Sequence, residues 1–458
     1  MPESYDPIAS TPLDRGISAT GGGQPIRDSV DDRAVAGVPS RQAGRRRAPG
    51  QRPTLRFMGG VVPYRSESRR IAALATPLRR RSSTCEGRGA RRPNSATTPI
   101  EMTHNPPLSV LKRLKRRTLN AARSAGLLGM TRESSWRQRR LLILGYHGVS
   151  AADEHLWDGE LYIPPALLRE RFTWLRDEGY RVLPLAEAVP RLYDGTLPPR
   201  AVALTFDDGA EDFYTVARPL LEEFGFPATV YLTTYYCQLQ RPVFNTVLRY
   251  IFWKQQDRLL DATGLTAAGG QLSLRQFADR ESAFTAILQH CTARDLSGAQ
   301  KDEVVAQVAS RLDFDYDDLI RRRLLLLMSP DQVAQLPKEL IDVQLHTHRH
   351  RVPVNVEAFR REIVDNREAI ATMTGNRDAT HFCYPSGVTH SSFSPWLTDL
   401  GVRSATTCFP GIASPASDPL LLPRLIDTVN TSSLEFDSWL TGASAFLPRR
   451  AVRANAPR

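Results

Sequence analysis

The sequence predicts an α/β fold built on a parallel sheet, and three observations predict it. From residue 141 onward, short apolar, β-branched runs alternate with stretches of helical period, the order expected when each strand is followed by a crossover helix. The strand runs are continuously apolar rather than alternating, as in sheets covered on both faces. Two of them end in residues that carry chemistry, Thr205-Phe206-Asp207-Asp208-Gly209 and His346-Thr347-His348-Arg349-His350. The carboxyl ends of parallel strands are where such folds bind ligands and react.

Taken in order, Leu141-Leu142-Ile143-Leu144-Gly145 reads as a buried strand running into Tyr146-His147-Gly148. A helix over 164–178 opens on Pro164-Pro165 and stops at Gly179, the usual asymmetry of helix ends. A strand at Arg181–Leu185 and a short helix near 186–193 follow, then the strand 201–207 entered through Pro198-Pro199. A helix over about 212–223 ends at Gly225 and leads to the strand Ala228–Leu232. Residues 238–327 break the rhythm with helical stretches at Phe244–Trp253, Leu274–Cys291 and Asp302–Leu312, and read as a helical insertion rimming one side of the site. Ser329-Pro330-Asp331-Gln332 has the form of a capping box, and the strand Leu340–Leu345 follows its helix. A helix at 356–373, a strand at Thr380–Tyr384 and a helix at 393–400 complete the alternation, with Cys408 expected in the core.

Charge divides the chain differently. Residues 1–101 hold 18 Arg, no Lys and nine acids, a balance of +9. Residues 102–145 add another +9 and leave 146–458 at −7 of the total +11, so the basic character belongs to the N-terminal third. The first 101 residues, rich in Arg, Gly, Pro, Ser and Ala, lack the apolar content to offset their ordering entropy and read as disordered. Tracts such as Arg45-Arg46-Arg47 carry the charge for phosphate contacts, but an Arg-rich segment without Lys fits translated upstream sequence, with Met102 as the working start, and nucleic acid is not expected as a partner. Residues 102–140 form a basic lead-in. Within it, residues 108–125 place Leu108, Leu111, Leu114, Ala121 and Ala125 near one helical face with cations around it, a pattern that suits either an anionic membrane surface or packing on the domain. The tail 448–458 reads as disordered. No apolar signal core follows Met1, Met58 or Met102, and no run approaches a membrane span. Five scattered Cys without CxxC spacing argue against a zinc ribbon and against a disulfide scaffold. A cytoplasmic location is therefore expected, with the inner membrane face as its extension.

Two carboxylates side by side repel unless a cation or a shared proton relieves them. Three His at alternating positions supply imidazoles, the commonest protein metal ligands. Two nitrogens and one carboxylate with a position left open make a catalytic zinc site.

Thr205-Phe206-Asp207-Asp208-Gly209 followed by His346-Thr347-x-x-His350 resembles the first two motifs of the polysaccharide deacetylase family, the NodB-homology domain of carbohydrate esterase family four. The resemblance runs over about 141–447 and takes in Tyr146-His147-Gly148, Phe226-Pro227-Ala228-Thr229-Val230 and Phe382-Cys383-Tyr384-Pro385-Ser386-Gly387. It implies a distorted (β/α) barrel of about seven strands. It further implies that Asp208, His346 and His350 hold a divalent metal, zinc by preference, that Asp207 is the general base, and that the Ser386 backbone N–H holds the oxyanion. His348 falls outside that ligand set, although spacing alone permits an exchange with His346. Family members commonly carry an Arg where Cys383 stands, and Arg424 is the candidate replacement. The family's closing Leu-His motif, which supplies the general acid, is not visible after residue 430, leaving His147, His390 or solvent. The implied activity is removal of N-acetyl groups from amino sugars of a glycan or a lipid-linked precursor. O-acetyl ester hydrolysis shares the chemistry, and a carbohydrate-binding protein on the same fold is the contrasting class.

Overall fold

The computed structural model describes residues 110–447; the Arg-rich segment 1–101, Met102 and the tail 448–458 lie outside the described residues. Seven parallel strands form the core: β1 (Leu142–Tyr146), β2 (Ala201–Asp208), β3 (Ala228–Leu232), β4 (Ile341–Leu345), β5 (His381–Cys383), β6 (Ser404–Thr406) and β7 (Leu425–Ile426). Their order is β6-β5-β4-β3-β2-β1-β7, with Arg181–Val182 pairing off this path against the start of β2. The two edges meet through Leu422. Its N–H donates to the Ala405 carbonyl at 2.8 Å and its carbonyl accepts from Thr407 N–H at 2.9 Å, so the stretch leading into β7 closes the sheet against β6. This is the expected (β/α) barrel.

The register places the chemistry. Asp207 lies opposite Tyr231, Asp208 opposite Leu232, and Leu232 opposite Leu345, so the carboxylates and the histidines that begin at 346 leave the barrel at one end. β2 and β3 are buried almost throughout, which is why their sequences carry no polar alternation. The barrel interior and its packing against the outer helices use Leu144, Leu204, Phe206, Val230, Val343 and Phe382, all buried.

The elements depart from expectation in three places. The strand expected over 181–185 stops at Val182, because Pro184 sits at the N-cap of the helix Leu185–Tyr193. The helix expected from about 212 begins with a π-helical turn, Phe213–Ala217, before Arg218–Phe224 and its left-handed stop at Gly225. Residues 238–327 are not wholly helical. Besides Phe244–Lys254, Phe277–Ala293 and Gly298–Arg311 they contain an antiparallel hairpin, Leu259–Asp261 with Gln271–Ser273. This segment buries its own core, including Val247, Ile251, Leu260, Phe284 and Val305.

The basic helix α1 (Val110–Ser124) is held to the domain by Leu119, buried at 3% exposure, and by a Lys115–Glu435 ion pair to the helix Ser433–Leu440. Leu114, on the face that helical spacing marks as apolar, is 60% exposed instead. Beyond α1, the buried Arg137 ties the lead-in to the barrel floor: its Nε donates to the Leu440 carbonyl at 2.7 Å and its Nη2 to the Ala201 carbonyl at 3.3 Å. Among the described residues no helix is long and apolar enough to cross a membrane.

Asp212 is a further buried carboxyl with a structural task. Its Oδ1 accepts from Val149 N–H at 2.9 Å, fixing the loop after β1. The Tyr162 ring leaves no room for a side chain at Gly148, where a Cβ would come within 2.2 Å of it. Burial, with Glu154 and Glu211 nearby, pushes the Asp212 carboxyl up to about 8. The folded state therefore keeps a proton that the unfolded state releases above its ordinary value, and this group costs stability as pH rises from about 4 to 8. Asp212→Asn removes that slope. The melting temperature of the variant relative to wild type is expected to climb from pH 5 to pH 8; a difference that stays constant over that range contradicts the assignment.

Candidate active site

Asp208 ends β2 at φ 69, left-handed for a residue with a side chain. That turn swings its carboxylate away from the one preceding it, so two neighbours in sequence face different partners. Asp208 Oδ1 lies 3.2 Å from His346 Nε2 and 3.2 Å from His350 Nε2. It is nevertheless buried without a hydrogen-bond partner. His346 is oriented from behind: its Nδ1 is 2.8 Å from the Cys383 carbonyl. A carbonyl there requires the proton on Nδ1 and leaves the Nε2 lone pair directed at Asp208.

These three ligand atoms lie within 4.8 Å of one another. An orphaned carboxylate oxygen facing two imidazole nitrogens is a donor set that fits a divalent cation, and two nitrogens with one carboxylate suit zinc. His348 points elsewhere. Its Nδ1 lies 2.8 Å from Thr234 Oγ1, so the structure brings His346 and His350, and not His348, to Asp208. A second cluster, Asp207, His346 and Cys383, also lies within 4.8 Å, but it does not fit a metal. Burial pushes the Cys383 thiol well above its ordinary value, His346 turns Nε2 to Asp208, and Asp207 is already engaged.

Its partner is Arg424, wholly buried, which forks onto Asp207 with Nη1 to Oδ1 and Nη2 to Oδ2, both at 2.7 Å. The guanidinium is itself held by the Thr407 carbonyl at 3.0 Å and by Thr205 Oγ1 at 3.0 Å. It also donates to Cys383 Sγ at 3.1 Å, and that thiol lies 3.4 Å from Asp207 Oδ2. Burial alone disfavours the Asp207 carboxylate, but the Arg424 charge outweighs it and brings the group down to about 2. A side chain at Gly145 would meet Ile426 within 2.5 Å, so β1 carries a glycine where β7 and Arg424 pass beside it.

The site opens into a cavity of about 270 Å³. Its lining includes the polar residues His147, Asp208, His350 and Ser386 together with Leu161, Tyr162, Tyr236 and Leu325–Leu327. Ser386 sits in the turn Pro385–Gly387 at φ 53, ψ 18. His147 Nε2 lies 3.6 Å from Asp207 Oδ2. His390, exposed, accepts from Ser392 N–H at 3.2 Å and is not among the residues lining the cavity.

Supporting residues carry no motif in the sequence. Asn366, buried on the helix α2 (Val356–Thr374), accepts from His346 N–H at 2.9 Å and donates to the Leu232 carbonyl at 2.9 Å. Glu362 on the same helix, 1% exposed, accepts from Arg349 N–H at 2.8 Å and Arg351 Nε at 2.7 Å. Together they hold the histidine loop between β4 and α2. The only sequence signal for them was a polar residue at a core position of a helix.

Residues 194–262 and 299–405 match the polysaccharide deacetylase family model. Over 99 residues, 21% of this chain, the sequence is 36% identical to the poly-beta-1,6-N-acetyl-D-glucosamine N-deacetylase of Escherichia coli (strain K12). The match spans only 14% of that protein's length. Among solved structures, the Streptococcus pyogenes deacetylase PplD in complex with acetate is 20% identical, with a TM-score of 0.42 covering 65% of this chain and 96% of that one. IcaB from Ammonifex degensii is 16% identical, with a TM-score of 0.42 covering 66% of this chain and 97% of that one. The two family motifs, Thr205–Gly209 and His346–His350, both fall inside the matched stretches, while His147 and Arg424 fall outside them. Over these stretches the chain is similar to polysaccharide deacetylases, and the family model together with the curated relatives supports the resemblance to a NodB-homology deacetylase.

Proposed function

We propose that the protein is a metal-dependent hydrolase that removes N-acetyl groups from amino sugars. The observation that carries this reading is the division of labour at the end of β2. Asp208 faces His346 and His350, while Asp207, one residue away, is locked in a fork by Arg424.

Asp208, His346 and His350 would hold a divalent ion, zinc by the chemistry of the donor set. When bound, that ion supplies a Lewis acid that polarises the amide carbonyl and acidifies water. The protein's own residues do the rest. Asp207, charged across the neutral range, accepts a proton from the attacking water. Arg424 holds both of its oxygens, so the carboxylate neither rotates nor needs to be reorganised during the step. The Ser386 N–H, at the left-handed turn on the cavity wall, is assigned to the carbonyl oxygen. Water oxygen bonds to the carbonyl carbon, the C–N bond breaks, acetate leaves, and the sugar amine takes a proton. His147 is the donor of that proton, because it lines the cavity beside Asp207 whereas His390 does not.

The substrate is read as an acetylated glycan or lipid-linked sugar, supported by the name of the Escherichia coli relative for the sugar and by the exposed cations of α1 for a membrane-proximal setting. Arg113, Arg116 and Arg117 on that helix are exposed and would meet anionic headgroups.

Acetate release from N-acetylglucosamine oligomers and from acetylated xylan, with zinc or with chelator, tests the reading. Zinc-dependent release from the oligomers is expected, and a chelator should abolish it. Asp207→Asn should lower kcat by about 10²–10⁴-fold, the usual contribution of a general base. Release that is no higher than this variant's background on every acetylated glycan would remove the enzymatic reading, and release from xylan alone would replace N- by O-deacetylation. Arg424→Lys keeps the charge but not the fork; kcat is expected to fall about tenfold or more while zinc stoichiometry stays at one, and unchanged kcat would contradict the positioning role. His147→Gln should lower kcat by about 10²-fold on amide substrates and by much less on an activated ester whose leaving group needs no proton. Equal losses on both would remove His147 as the acid.

A further inference from the structure

Leu325, Leu326 and Leu327 all line the cavity that contains the proposed metal ligands. The backbone that brings this run to the cavity breaks from an extended path, in which neighbours alternate between opposite faces. That break is visible: Leu325 is at φ 59 and Arg323 at φ 55, a left-handed conformation that costs a residue with a side chain. Strained backbone of this kind persists only where its surroundings hold it.

Here the surroundings are the loop that carries the two aspartates. Glu211 N–H donates to the Leu326 carbonyl at 2.9 Å, and Met328 N–H donates to the Gly209 carbonyl at 3.0 Å. Glu211, 6% exposed, accepts from Arg323 Nε at 2.8 Å and from Gln332 Nε2 at 2.7 Å. Arg323 Nη2 returns to the Leu327 carbonyl at 3.1 Å. The end of the insertion is thus fastened to the strand end it faces, and its leucines form a fixed apolar wall. Leu161, Tyr236 and Val243 extend that wall, and Leu161 remains 39% exposed. A single acetyl methyl leaves most of such a surface in water.

We propose that this wall is a subsite for a hydrocarbon group carried by the substrate next to the reacting amide, so that the preferred substrate is an amphiphilic acylated amino sugar rather than a plain glycan. The inference rests on the deacetylase reading for the sugar and for where it sits. Continuity with the ligand cluster argues for the occupant, since both halves belong to one cavity. The hydrocarbon has two chemical positions, the glycosidic oxygen or the acyl chain, and the test separates them.

Dissociation constants are measured by calorimetry on the full chain carrying Asp207→Asn, with two series of glucosamine derivatives. One varies the glycoside from methyl to butyl to octyl with N-acetyl constant; the other varies the acyl group from acetyl to hexanoyl with the methyl glycoside constant. One series is expected to tighten by about fourfold per methylene over the first few carbons, the increment for burying a CH₂ group. The series that tightens identifies the end of the sugar that meets the wall. Leu325→Asn, which tolerates the left-handed backbone but is polar, should reduce the gain to less than twofold per methylene. Val243→Ser, on another element, should reduce it independently of any folding defect at 325. Neither series tightening by more than twofold overall, or both variants keeping the full gain, overturns the proposal. A chain-length gain with no acetate release by the wild-type enzyme would leave the subsite standing and remove the deacetylase reading.

Discussion

The Arg424–Asp207 ion pair is the interaction on which the architecture of the site depends. Both partners are buried, and a buried charge that loses its partner costs about 3–5 kcal/mol. The pair therefore constrains everything around it. Arg424 precedes β7, the strand that seats against β1 and closes the barrel, so barrel closure and the fixing of Asp207 are one event. The Thr407 carbonyl, the Thr205 hydroxyl and the Cys383 thiol meet the remaining guanidinium donors. Because Arg424 engages Asp207, its neighbour Asp208 is left facing the two imidazoles, 3.2 Å from His346 Nε2 and 3.2 Å from His350 Nε2.

Backbone conformation does the separating. Asp208, Thr347, His350 and Ser386 all hold positive φ without being glycine. Each lies at the carboxyl end of the barrel, where a strand turns into a loop; Asp208, His350 and Ser386 line the cavity, while the buried Thr347 braces the histidine loop by accepting from Arg351 N–H at 3.0 Å. The surrounding hydrogen bonds of Asn366 and Glu362 hold the histidine loop in this conformation. Rigid strands set the positions, and strained turns set the directions.

Much of this was legible in the sequence, for reasons of range. Asp207 and Asp208 form one contiguous motif at the end of an apolar strand, and His346 and His350 a second, so strand pattern and spacing reach them. Arg424 was found by asking what replaces an Arg at Cys383, a question about charge balance rather than position. The supports were not legible. Asn366 and Glu362 look like ordinary polar residues of a helix, and their roles exist only after α2 packs beside β4. The insertion read as helical because its hairpin strands are three residues each, too short to show an alternation. Leu325–Leu327 went unmarked within the insertion, since nothing local shows that the backbone turns left-handed at Leu325 beside the cavity these residues line. In α1, helical spacing marked Leu114, but the helix meets the domain at Leu119, a choice made by the partner surface.

The central claim is that adjacent aspartates hold separate offices, Asp208 with the metal and Asp207 with Arg424. The most direct measurement is a crystal structure grown with zinc, with the ion located by anomalous scattering at its absorption edge. The account requires a single strong peak within bonding distance of Asp208, His346 and His350, with the Arg424 fork on Asp207 intact. A peak bonded to Asp207 and Cys383, or a fork broken by metal binding, would contradict it.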